Sequence, residues 1–149
     1  MNLVKTIHQF DPSHLVFCDP IKNNIMNDGH FIRILYSTDS MTLNGIYLLV
    51  QLTDISCEKY YNKYKCSFNI YHHKELIDHL KHIEECVLNN YKSTKIPLCK
   101  IYEQLKCGYI KLFSDVGQKS SETFILKISG IWETQYNYGL TYKFITINE

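Results

Sequence analysis

The amino-acid sequence predicts a mainly β domain with one long central helix, an OB-like five-stranded barrel; a β-sandwich with a covering helix is the alternative. Three observations carry this. Segments with a strand-like period of two stand before and after a single segment with the helical period. That order differs from the βαβα alternation of a parallel sheet, and it places the helix between the third and fourth strands, as in the five-stranded barrel. The length of 149 residues suits one domain, 1–149, with residues 1–30 as an irregular N-terminal arm.

The elements follow in order. Pro12, Pro20, Asn23, Asn24 and the "NDG" at 27–29 punctuate the arm, leaving a short strand near Leu15–Phe17 and loop after it. "HFIRILYS" (30–37) reads as a strand, and "MTLNGIYLLVQL" (41–52) as another, with Gly45 as a bulge or bend. "YKCSFNIY" (64–71) alternates, with Cys66, Phe68 and Ile70 on one face and Lys65, Ser67, Asn69 and Tyr71 on the other. The period then changes. In "HHKELIDHLKHIEECVLNNY" (72–91), Leu76, Ile77, Leu80, Ile83 and Val87 share one stripe at about 100° per residue, which predicts a helix. Beyond a loop with Pro97, residues 98–107 suit a strand or a short helix. "GYIKLFS" (108–114) reads as a strand and "DVGQKSS" (115–121) as a turn or flexible loop. "ETFILKISGIWE" (122–133) and "GLTYKFITIN" (139–148) read as two strands of a hairpin across "TQYNY".

Composition bounds the function. Hydrophobic residues make up 45% and charged residues 21%, as in an ordinary globular protein. A net charge of +1 lacks the strong field of a basic nucleic-acid-binding domain, so any such binding must be local, with acidic residues placed elsewhere. There is no alanine, Arg33 is the only arginine, and Ile, Lys, Asn and Tyr abound, a bias that tracks A/T-rich codons. The six cysteines, at 18, 57, 66, 86, 99 and 107, form no C-x-x-C pair. No stretch approaches the ~20 apolar residues of a membrane span, and the N-terminus lacks a signal-length apolar run. The expectation is a soluble protein of a reducing, intracellular setting with free buried thiols.

Three constellations bear on chemistry. His79, His82 and Cys86 share one flank of the predicted helix, but a structural zinc site needs a fourth ligand and no second pair is evident, so no metal or cofactor is expected. The sequence holds no G-x-S-x-G, H-E-x-x-H or phosphate-loop motif, so the protein is not expected to be an enzyme. The third is a pattern of lysines and rings. Strict alternation puts Lys65, Tyr71, Tyr109, Lys111, Phe113, Lys127 and Lys143 on one face of the strands, with Tyr47 and Gln51 on the polar side of theirs, while Phe124, Leu126 and Ile128 turn to the core. Such a face suits single-stranded nucleic acid, since bases stack on rings for ~1–3 kcal/mol each and lysines track phosphates. In "GIWETQYNYGLTYKF" (130–144), Trp132, Tyr136 and Tyr138 would either support one another across a hairpin or line a loop that grips bases, with Gly130 and Gly139 admitting a close approach.

The runs "FILKISGIWETQYNYGLTYKF" (124–144) and "YSTDSMTLNGIYLLV" (36–50) resemble small proteins of large nucleocytoplasmic DNA viruses, in particular their single-stranded DNA-binding proteins. Those are similar to OB-fold binding proteins of some tailed phages, whose last strands follow a "W…G-L/V-x-x-K" pattern. The resemblance implies an OB-like barrel, non-specific binding of single strands, and a role in viral replication, recombination or repair, in the viral factory of the host cytoplasm or in the virion. Phage-type members end in an acidic tail; this sequence ends in "TINE", so recruitment is expected to rest on a partner, or binding to be weak. The expected nucleic-acid-binding residues are Tyr47, Lys65, Tyr109, Lys111, Lys127, Trp132, Tyr136 and Lys143. The expected partners are single-stranded DNA and viral replication or capsid proteins, with no membrane and with homo-oligomerisation left open. A virion structural or assembly protein, a minor capsid component using the same tyrosines as a protein interface, is the alternative function.

Overall fold

The computed structural model describes residues 4–23, 29–112 and 123–146. Its strands are β1 (Leu15–Phe17), β2 (Ile21–Asn23), β3 (Gly29–Ser37), β4 (Thr42–Leu43), β5 (Ile46–Gln51), β6 (Ser56–Tyr60), β7 (Lys63–Ser67), β8 (Ile96–Leu98), β9 (Tyr109–Leu112), β10 (Thr123–Glu133) and β11 (Asn137–Thr146). Two helices join them, α1 (Lys74–Tyr91) and α2 (Lys100–Lys106). The chain is mainly β with one long helix, as its periodicity predicts. The expected loop at 115–121 and Phe113 lie outside the described residues.

The strands form one open mixed sheet with the path β1-β3-β10-β11-β9-β7-β6. Closure into a five-stranded barrel is not shown: among the described residues β1 pairs with β3 and β6 with β7, each on one side. The long hairpin of β10 and β11 is the centre. One edge of β10 pairs with β5 along Thr123–Ile128 and with β3 along Gly130–Glu133, so β5 and β3 follow each other on the same side. β11 is flanked by β8 and β9, both parallel to it.

The core follows from the alternation. Ile32, Ile34 and Tyr36 of β3, Ile46, Leu48 and Val50 of β5, and Phe124, Leu126 and Ile128 of β10 are buried at every second position. Strict alternation would then turn Ile131 outward. A bulge between Ile128 and Gly130 resets the register, and Ile131 reaches the core opposite Leu140. The α1 stripe Ile77, Leu80, Ile83, Val87 and Leu88 completes this core, with Leu76 packed at its border.

Several elements differ from the sequence expectation, each for a physical reason. The run 41–52 is two strands because Gly45 adopts φ +117, which suits glycine, and passes so close to β10 that a Cβ would sit 2.9 Å from the Ile128 carbonyl oxygen. The alternation of 64–71 ends at Ser67, since Asn69 accepts the N–H of Tyr71 and starts a 3-10 turn over Ile70–His73 that leads into α1. His73 is buried at this entry, its Nδ1 2.7 Å from the Asn69 carbonyl and its Nε2 accepting the Thr53 N–H at 2.9 Å. Residues 1–30 include two strands rather than one: β1 and β2 pair with β3, and Lys5 bridges to Leu48 of β5. Phe17 packs its ring on Tyr91 at the end of α1.

The expectation of free thiols throughout is corrected by a disulfide between Cys57 and Cys66. The sequence shows no strand over 56–60, but β6 pairs there with β7 and sets these two residues directly opposite each other. Cys18, Cys86, Cys99 and Cys107 are free. No helix among the described residues is long and apolar enough to cross a membrane.

Candidate nucleic-acid interface

The strand pairings bring separate lysines into one row on the face of the sheet away from the core. Lys127 of β10 stands between Tyr47 of β5 and Lys143 of β11. Phe144 pairs with Leu112, which puts Lys143 next to Lys111 of β9 on the outer face. Lys111 lies opposite Lys65 of β7, and Lys65 opposite Glu58 of β6. The row Tyr47, Lys127, Lys143, Lys111, Lys65 thus crosses β5, β10, β11, β9 and β7, about 19 Å at ordinary strand spacing. Lys65, Lys111 and Lys143 are exposed, and Tyr47, Tyr109 and Lys127 half-buried.

Rings hold the ammonium groups in place. Lys127 Nζ lies 5.5 Å from the centroid of Tyr47, Lys65 Nζ 4.6 Å and Lys111 Nζ 5.9 Å from that of Tyr109. Among the described residues no salt bridge neutralises any of the four lysines. On the other side of the sheet, α1 and α2 mix both signs: Glu75, Asp78, Glu84, Glu85 and Glu103 stand beside Lys74, Lys81, Lys100 and Lys106, with Lys81–Glu85 and Lys100–Glu103 as ion pairs. Among the described residues Glu58 is the acid that meets the row at its end.

The other expected residues stand apart from this row. Trp132 lies five positions along β10 from Lys127, roughly 16 Å at strand rise. It is half-buried, paired across strands with Phe31, and its ring covers Gly139, where a Cβ would sit 2.6 Å from Cζ2. Gly130 likewise admits a ring of this chain, with Phe31 Cζ 2.7 Å from where a Cβ would be. Both glycines admit neighbouring rings, and Trp132 supports the hairpin from outside rather than reaching toward the lysines. Tyr138 is buried under α1, its hydroxyl 3.5 Å from the Leu88 carbonyl. Tyr136 is exposed at the hairpin turn, and Tyr71 at the 3-10 turn, off the strands. Gln51 is exposed opposite Thr123.

Sequence reasoning missed Arg33 and Phe31. Arg33 pairs with Gly130 and is exposed on the same outer face, beyond the bulge. The alternation of "HFIRILYS" contained that signal, since Ile32, Ile34 and Tyr36 claim the inner face. Glu58 and Tyr60 were missed because β6 was, and Lys63 because β7 begins one residue before the expected strand.

Behind the sheet lies a second polar feature, also unforeseen. Glu84 is fully buried, and its carboxylate accepts the backbone N–H of Ile101 and of Tyr102, both at 2.9 Å, supplying α2 with the cap its own sequence lacks. Burial pushes its pKa up to about 7 against the pull of those two bonds. Burial, then Glu84, pushes the Cys99 thiol up to about 11 and the Tyr142 hydroxyl up to about 12, and burial raises Cys86 as well. Thiols shifted in this direction are poor nucleophiles at neutral pH. His79 and His82 are exposed, His79 against the ring of His8, and among the described residues no group of three or more His, Cys, Asp or Glu is placed to hold a metal.

Chemically, the outer face offers a row of cations with the rings of Tyr47 and Tyr109 beside it, able to engage anionic groups and flat rings. Comparison of the chain with protein-family models, curated proteins and solved structures finds no match.

Proposed function

We propose that this protein binds single-stranded DNA without sequence preference through the outer face of its sheet. The observation that carries the reading is the row of Lys127, Lys143, Lys111 and Lys65 set across the strands, with the rings of Tyr47 and Tyr109 beside it. Phosphates follow the ammonium groups and bases lie on the rings; stacking is indifferent to base identity because every base has a π-face. The resemblance to OB-fold single-strand binders of large DNA viruses belongs to the same proposal, as do the OB-like reading of the sheet and a role in viral replication, recombination or repair.

The test is fluorescence anisotropy of an end-labelled oligo-dT at low salt. Tyr47→Ala together with Tyr109→Ala should weaken binding by roughly ten-fold or more, from ~1–3 kcal/mol per lost stack. Absence of binding by the unmodified protein at low salt would refute the reading. Trp132 is a poor reporter here, being packed on Gly139 away from the row.

A second reading, a virion or assembly component, draws on edge strand β6. All five of its residues are exposed and it runs into the Tyr60–Tyr61 ring pair, large amphipathic area on a strand that pairs, among the described residues, with β7 alone. Stable association with capsid protein, without affinity for single strands, would select it.

A further inference from the structure

The hairpin of β6 and β7 ends in two exposed rings. Tyr60 is 64% and Tyr61 82% exposed, and the rings meet edge to face with centroids 4.8 Å apart. The backbone opposes one of them. Tyr60 pairs with Lys63, which leaves a two-residue turn at 61–62, and Tyr61 adopts φ +57 in it. That left-handed conformation suits glycine, and asparagine next; a bulky side chain there is an outlier. Asn62 is the neighbouring residue, yet the tyrosine takes the left-handed position. A ring placed against local preference, with its faces in water, points to a ligand rather than to folding.

The hairpin is braced beneath this tip. Cys57 and Cys66, directly opposite each other, are joined three residues along β6 from Tyr60. The bond ties β6 to β7, so the rings stand on a fixed base.

Register sets the tip at the end of the cationic row. Lys65 faces Glu58, and Tyr60 lies two residues farther along β6 on the same outer face, roughly 7 Å at strand rise. Tyr60 shares with Lys65, Lys111 and Tyr109 the walls of a cavity of about 440 Å³. Tyr109, opposite Ser67, stands at the far end of that space, two strands and four residues from Tyr60, about 16 Å. The two rings are too far apart to hold one base between them. They suit two different bases, with Lys65 and Lys111 placed between for the phosphates that link those bases. The outer positions of β6 are Ser56, Glu58 and Tyr60, so what this strand offers is a ring and no cation.

We infer that the Tyr60–Tyr61 tip is a further base-binding site for single-stranded nucleic acid, on which a base stacks after its strand has crossed Lys111 and Lys65. The inference rests on the proposed single-strand reading and carries its path from the sheet face onto the hairpin tip. A protein interface could use the same rings; their continuity with the lysine row favours a base.

The experiment removes the ring without straining the turn. Tyr61→Gly and Tyr61→Asn both suit φ +57, so a thermal melt should show them folded. By anisotropy with the full chain, each should bind oligo-dT about ten-fold more weakly than the unmodified protein, the loss of one stacked base, while Tyr61→Phe keeps the affinity within two-fold. Oligo-dT carrying 5-iodouracil, irradiated on the unmodified protein, should cross-link to residue 60 or 61, located by mass spectrometry of the digest. Support requires both the loss in the ring-free variants and the cross-link at the tip. Strand binding that the ring-free variants leave unchanged, or cross-links confined to other residues, overturns the inference and leaves the single-strand reading standing. If the unmodified protein binds no strand, that reading fails and the inference falls with it. Ring-free variants that keep strand affinity but lose association with capsid protein overturn it in favour of the protein interface.

Discussion

Replacing Glu84 by glutamine should change how the stability of this protein responds to pH. The unfolded side chain titrates near 4.5 and the folded one near 7, because burial penalises the charge more than the N–H groups of Ile101 and Tyr102 favour it. Below the lower value both states hold the proton, and the side chain's contribution is fully present. As pH rises through the upper value the folded protein must give up that proton in a dry site, and the contribution is lost. The separation corresponds to roughly 3 kcal/mol, lost between about pH 4.5 and pH 8. The amide of the Glu84→Gln variant does not titrate, but it turns an N–H₂ toward one of the two backbone donors, a cost of about 1–3 kcal/mol at every pH. The variant should therefore be the less stable protein at pH 4.5, and the gap should close or reverse by pH 8. Urea denaturation at intervals across that range, followed by circular dichroism, measures both curves, and their difference removes the contribution of every other titrating group. Parallel curves, or a gap that widens with pH, would refute the reasoning about Glu84.

Three other outcomes are expected. If the lysine row tracks phosphates, the logarithm of affinity for oligo-dT should fall with the logarithm of salt with a slope of about −3, and Lys127→Gln/Lys143→Gln should roughly halve it; an unchanged slope would remove those lysines from the path. Gly139→Ala sets a methyl 2.6 Å from the Trp132 ring and 2.9 Å from the Leu98 carbonyl oxygen, and should cost about 1–3 kcal/mol in a urea melt with a red shift of tryptophan emission. An unchanged melt and spectrum would show that the ring does not lie on that glycine. Cys57→Ser should lower stability by roughly 2–3 kcal/mol, and reductant should do the same to the unmodified protein while leaving the variant unaffected; a reductant effect that persists in the variant would locate it at another thiol.

The local pattern of the chain was enough to assign faces. Alternation in 122–133 marked Phe124, Leu126 and Ile128 as core, and the helical stripe of 72–91 marked Ile77, Leu80, Ile83 and Val87. The same alternation turned Lys65, Lys111, Lys127 and Lys143 outward, which is why most of the candidate site was legible. Glu84 lies within the angular range of that stripe, yet a lone acid there reads as solvated until its partners at 101 and 102 are known, and those arrive from a separate helix. β6 escaped notice because an edge strand exposed on both faces has no hydrophobic alternation to show.

By itself, the sequence determined which side chains face in and which face out, because a period of two or of 3.6 is a property of the backbone of one segment. Only the tertiary structure decided who stands beside whom. The alignment of four lysines across β10, β11, β9 and β7, the meeting of Cys57 with Cys66, and the bulge that turns Ile131 to the core all depend on register between strands. Register is set by hydrogen bonds between segments far apart in the chain and by the packing that selects among them, and no local periodicity encodes it.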